Sequence, residues 1–94
     1  MSNGTGGTRW LAIVTVMPKS GVNDPEGDAI RGGLRSLGHQ AVSRVRAGSI
    51  FHVTLEAADA ASAEAQARTM ADQLLANPVI EQFEGAVAPA PAGS

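Results

Sequence analysis

The sequence predicts an α+β domain: a β-α-β-β-α-β two-layer sandwich, its antiparallel sheet carrying two helices on one face. Three observations point there: a β-branched run at Arg9–Met17, a helix opening at Asp24-Pro25, and a second helical pattern stopped by Pro78. With one apolar face to hide on each helix, stacking both on one side of the sheet is the economical arrangement.

The first strand is Arg9-Trp-Leu-Ala-Ile-Val-Thr-Val-Met17, with glycine before it and Pro18 after it. Alternation puts Leu11, Ile13, Thr15 and Met17 on one face and Trp10, Ala12, Val14 and Val16 on the other. Both faces are apolar. The helices cover one, and in so short a chain another subunit is expected to cover the second face or an edge.

Asp24 can accept from an orphan N–H, and Pro25 at the first helical position has no N–H to lose. Ala29, Ile30, Gly33, Leu34 and Leu37 recur at helical spacing, and Gly38 suits a left-handed cap, so the helix spans Pro25 to Leu37. Val42–Ala47 and Ile50–Ala57 read as a hairpin around Gly48-Ser49. In its second arm Phe51, Val53 and Leu55 alternate with Ile50, His52, Thr54 and Glu56. Asp59 or Ser62 caps a second helix running to Ala76, with Ala63, Ala67, Met70, Ala71, Leu74 and Leu75 as its buried stripe. Pro78 ends it, and Val79–Val87 is the last strand. Residues 9–87 form the domain. Met1–Thr8 and the Pro/Ala tail Ala88–Ser94 are too poor in apolar surface to order, so both read as disordered.

Composition excludes more than it assigns. The chain has 94 residues, no cysteine and a net charge of −2. Disulfide scaffolds and thiolate metal sites are ruled out. Nucleic acid is not an expected partner: cationic side chains are few and Lys19 is the single lysine. Trp10, Phe51 and Phe83 are too few for a base-stacking sheet. No apolar run approaches membrane-spanning length and no signal pattern opens the chain, so a soluble, cytoplasmic protein with no membrane partner is expected. A domain of this size gains from oligomerising.

Little in the sequence looks catalytic. His39 follows a helix cap and His52 alternates onto the more polar sheet face, so a solvated role suits each better than a general base. Asp24, Glu26 and Asp28 fit a helix N-terminus as capping and dipole residues. The loop Lys19-Ser-Gly-Val-Asn-Asp-Pro-Glu-Gly27 leads into that N-terminus, but its acids would repel a phosphate and it lacks Walker spacing. A partner-facing loop is the expectation. Arg44 and Arg46, two apart on an expected strand, share a face that can receive carboxylates from another chain. Gly21, Pro25 and Gly27 serve either the fold or docking.

These residues, in this order, resemble the PurS family, the small subunit of the three-component phosphoribosylformylglycinamidine synthase of purine biosynthesis. Lys19, Gly21-Val22, Asp24-Pro25, Gly27, Ala29, Leu34, Leu37-Gly38, Val45-Arg46, Gly48 and Leu74-Leu-Ala-Asn-Pro-Val-Ile-Glu81 carry the likeness, from about Leu11 to Val87. It implies a non-catalytic assembly subunit that binds no cofactor itself. Its expected partners are further copies, as dimer or tetramer, together with the glutaminase PurQ and the synthetase PurL, in a complex using ATP, Mg and glutamine. Lys19, Gly21, Asp24, Pro25, Gly27, Arg44 and Arg46 become candidate partner contacts. One departure stands out: the family commonly has Gly-Lys where this chain has Gly48-Ser49, which admits a paralogue of a specialised pathway. A small ferredoxin-like regulatory domain that senses a ligand between subunits is the alternative from another class. A small enzyme using His39 or His52 as base is a third.

Overall fold

The structure, a computed structural model, describes residues 8–91. Three antiparallel strands, β1 (Thr8–Pro18), β2 (Ser49–Ala57) and β3 (Glu81–Pro89), lie in the order β2-β1-β3. The central strand pairs with β2 from Thr8↔Ala57 to Val16↔Ser49, and with β3 from Trp10↔Pro89 to Pro18↔Glu81. Two helices, α1 (Pro25–Ser36) and α2 (Ala60–Met70), complete an α+β fold, with a π-helical turn (Ala71–Leu75) extending α2.

The core lies between the sheet and α2. Ala12, Val14 and Val16 from β1 meet Ala67 and Ala71 from the helix, with Phe51, Val53, Leu55, Phe83 and Val87 around them. Val14 is the largest fully buried side chain. Alanines let the helix approach the sheet closely, but they bury little apolar area each, so the core is thin. Asp59 caps α2 by accepting from the Ser62 N–H at 2.8 Å.

The expected two-helix layer is half realised. Only α2 packs on the sheet; α1 makes no extensive contact with any strand, and its single buried residue is Gly27. The helix stands off the sheet as an arm. The radius of gyration is accordingly 17.5 Å, against about 12–13 Å for a compact chain of this length.

The fourth expected strand is also absent. Val42–Ala47 is irregular and joins no sheet, and no hairpin forms at Gly48-Ser49. The segment instead returns beside α1. Arg35 Nη1 donates to the Val42 carbonyl at 3.0 Å, and a Cβ on Gly27 would overlap the Val45 carbonyl. Arg44 and Arg46 therefore do not share a strand face.

Two further expectations shift. Leu74, assigned to the buried stripe of the second helix, is 84% exposed. The i→i+5 bond from Ala76 N–H to Ala71 carbonyl (2.9 Å) inserts one residue into the turn and rotates Leu74 off the stripe. The last strand runs past Val87, since Ala88 and Pro89 pair with Leu11 and Trp10, and Thr8 already belongs to β1. Ala90, also expected to be disordered, donates its N–H to the Arg9 carbonyl at 3.0 Å, whereas 1–7 and 92–94 lie outside the described residues.

Candidate functional site at the base of the arm

The signature residues of the sequence meet where α1 joins the sheet. At the exit of β1 the chain makes a tight turn, with Val22 N–H donating to the Lys19 carbonyl at 3.1 Å. Gly21, at φ +83°, occupies the position of that turn which requires a positive φ. Asp24 follows as N-cap of α1 and Pro25 opens the helix.

Asp24 holds two segments at once. Its Oδ1 accepts from the Gly27 N–H and its Oδ2 from the Ala47 N–H, both at 2.9 Å. These bonds, the Gly27 one foremost, hold its carboxyl below the ordinary carboxylate range, with help from the positive charges of Arg46 and Arg44. The Gly27 N–H is thus occupied by a side chain of the protein itself, which disfavours anion binding at this helix N-terminus.

Arg46 is half-buried and turned inward. Its Nη2 donates to the Pro18 carbonyl, and its buried Nε has no hydrogen-bond partner among the described residues. Arg44 is exposed. Lys19 faces the other way along the junction. Its backbone N–H donates to the Ile80 carbonyl at 2.8 Å, and its Nζ to the Pro78 carbonyl at 2.6 Å.

The Pro78 turn is itself locked. Asn77 N–H donates to Glu81 Oε1 at 2.7 Å, and Val79 N–H to Asn77 Oδ1 at 3.1 Å. A continuous path of contacts therefore runs from this turn through Lys19 and Pro18 to Arg46, and on through Ala47 and Asp24 into α1. Gly48 completes the fit at the start of β2, because a Cβ there would overlap the Val16 carbonyl.

The structure brings Lys19, Gly21, Asp24, Pro25, Gly27 and Arg46 to this one junction and leaves Arg44 at its rim. Sequence reasoning missed their internal partners: Ala47 N–H and the Pro18, Pro78 and Ile80 carbonyls. Backbone groups leave no mark in side-chain patterns, and the Lys19–Pro78 bond spans 59 positions. The one available signal was the Leu74–Glu81 segment, which marks the turn without naming what it touches.

An open cleft of about 390 Å3 beside the junction is lined by Val22, Asp24, Glu26, Ile80 and Glu81 among others, a rim that repels anions. A smaller hollow of about 240 Å3 between α2 and β3 contains no Ser, Thr or His among its lining residues. His39 and His52 are both exposed, the first after α1 and the second opposite Ile13 on the uncovered face of the sheet. Among the described residues, no group of three His, Asp or Glu side chains is placed to hold a metal ion, and no helix is long and apolar enough to cross a membrane.

Fold and junction define a small α+β protein whose signature side chains hold one surface element in position against another. Comparison with known proteins gives that class its family. The family model of PurS, phosphoribosylformylglycinamidine (FGAM) synthase, matches residues 11–89. The phosphoribosylformylglycinamidine synthase subunit PurS of Synechocystis is 49% identical over 83 residues, covering 81% of each chain. Thermus thermophilus PurS superposes with a TM-score of 0.79 at 37% identity, over 88% of this chain and 99% of that one. A chain of the PurLQS structure from Thermotoga maritima matches with a TM-score of 0.77 at 29% identity, over 85% of this chain and 98% of that one. The chain belongs to the PurS family of phosphoribosylformylglycinamidine synthase subunits.

Proposed function

We propose that this chain is the non-catalytic assembly subunit of a phosphoribosylformylglycinamidine synthase, holding a PurQ glutaminase against a PurL synthetase. The observation that carries the reading is the arm. A helix as short as α1 is marginal in water without tertiary packing, and here Ile30 is 42% and Leu37 77% exposed. Such an element is built to be covered by another chain. The family match and the PurLQS likeness supply the kind of chain.

The chemistry gives a physical reason for a bridge. Ammonia released from glutamine is mostly protonated in water at neutral pH and then has no lone pair to attack with. A closed route from glutaminase to synthetase keeps it neutral, and tethering the two raises their effective concentration. PurL would use ATP and Mg, PurQ would use glutamine, and this subunit would bind neither. The net step converts formylglycinamide ribonucleotide to its amidine in the cytoplasm.

The uncovered sheet face also calls for a cover. Ile13 is 36% and Ile50 64% exposed there, beside the half-buried Leu11 and Met17. A second copy of this chain, in a dimer or tetramer, is the cover we assign to it. Lys19, Gly21, Asp24, Pro25, Gly27, Arg44 and Arg46 form the base of the partner-facing surface. Of these, the exposed Arg44 has its guanidinium free of the internal bonds that hold Asp24, Lys19 and Arg46, and suits a partner carboxylate.

Reconstitution tests this. Amidine formation by the PurL and PurQ proteins of the same source is measured with glutamine or with ammonium, each with and without this chain. The expected result is glutamine-dependent turnover that requires the chain and ammonium-dependent turnover that does not. Equal rates with and without it on both nitrogen sources would refute the assembly role.

A further inference from the structure

We infer that Asp24 is a positioning residue, a clasp that fixes the direction in which the α1 arm leaves the sheet. The arm is joined to the body by two strands of irregular chain, residues 19–24 and 37–48, and packs against no strand along its length. Little else holds its angle. The two carboxylate oxygens of Asp24 divide the work: Oδ1 caps the helix through Gly27, and Oδ2 ties the outgoing segment to the returning one through Ala47. Gly27 brings the helix against the Val45 carbonyl at the same level. Arg46, reaching from the returning segment to the Pro18 carbonyl, fastens that segment to the end of β1. Helix capping needs one acceptor oxygen; the second is what sets the arm.

The two roles separate experimentally. Asp24→Ser keeps a good N-cap, since serine ranks with aspartate there, but its single hydroxyl cannot reach both N–H groups. The chain has no cysteine, so spin labels at Ser36→Cys on the arm and Ala61→Cys on α2, both exposed positions, report the arm angle. The doubly labelled full-length chain is diluted into excess unlabelled chain so that only distances within one chain are read. The expected result is one narrow distance in the parent and a broad distribution in Asp24→Ser, with helix content by circular dichroism unchanged. Gly27→Ala, whose Cβ would overlap both the Asp24 carboxylate and the Val45 carbonyl, disturbs the clasp from the helix side and should shift the mean distance. An unchanged distribution in Asp24→Ser would overturn the clasp, and so would a broadening that comes with loss of helix.

The consequence for turnover rests on the proposed assembly role. In the reconstituted complex Asp24→Ser should lower glutamine-dependent turnover about 10- to 100-fold through misplacement of the arm and leave ammonium-dependent turnover intact. The parent chain run beside it separates the two ideas. If the parent does not support glutamine turnover, the assembly role fails while the distance result stands. If the parent does, and Asp24→Ser matches it, the clasp has no part in assembly.

Discussion

The two helices of this chain are of nearly equal length and similarly capped, yet one is core and the other is not. Each begins on an aspartate that accepts from the N–H three residues on. In α2 and its π-helical extension, Ala63, Ala67 and Ala71 lie fully or almost fully buried, the last two against Ala12, Val14 and Val16. In α1 an equally regular stripe faces mainly solvent, and the helix holds to the molecule through its first turn and its returning segment. An apolar stripe thus states a need for cover without saying which chain supplies it. Where the chain keeps its own cover, stability is local; where it does not, stability and assembly are linked.

The contrast can be broken by mutation, most strongly on the packed side. Val14→Ala removes the bulk of the largest fully buried side chain and should cost about 2 kcal/mol in urea unfolding, with the slope unchanged. A cost near zero would mean that the sheet–α2 core is not where the free energy resides. Lys19→Met, which removes the donor to Pro78, should cost about 1 kcal/mol and free the Pro78 turn, read as faster amide exchange at Ile80 and Glu81. Ile30→Ser on the arm should change unfolding of the dilute chain by no more than about 0.5 kcal/mol. The same variant should weaken self-association or complex formation measured by sedimentation. A large loss of intrinsic stability there would show that the arm is packed after all.

The smallest effect is confined to acid. Asp24 holds its proton less readily in the folded chain than its ordinary value of 3.8, because the Gly27 and Ala47 N–H groups and then Arg46 and Arg44 favour the carboxylate. A depressed folded value contributes stability that is fully present above 3.8 and lost as the pH falls through the folded value. Asp24→Asn should therefore lack this increment, and its stability curve should converge on that of the parent at the acid end. Parallel curves down to that end would contradict the assignment.

Most element boundaries were legible in the sequence. Arg9–Met17 announced β1, Asp24-Pro25 and Asp59 announced the caps, and Leu37-Gly38 announced an end. The last is realised by Gly38 at φ +104°, with bonds from Gly38 N–H to Arg35 carbonyl and from His39 N–H to Leu34 carbonyl, both at 3.0 Å. The errors have three physical origins. Val42 and Val45 read as strand because β-branched side chains suit a strand whether or not a sheet partner is present. Leu74 read as buried because helical periodicity carries no sign of a π turn. The placement of α1 was illegible because its stripe looks the same whether its cover is the sheet of its own chain or another molecule. The site residues were visible as a group through the family pattern, whereas their convergence depends on backbone partners that no side-chain pattern encodes.

The proposed assembly role requires the arm to be the surface that partners cover. Hydrogen exchange read by mass spectrometry, on this chain alone and mixed with its PurL and PurQ proteins, tests that most directly. Amides of β1 should be slow in both samples, while those of α1 beyond its clasped first turn should be fast in the dilute chain and become protected on mixing. An arm as protected as β1 in the dilute chain, or one that gains no protection on mixing, would contradict it.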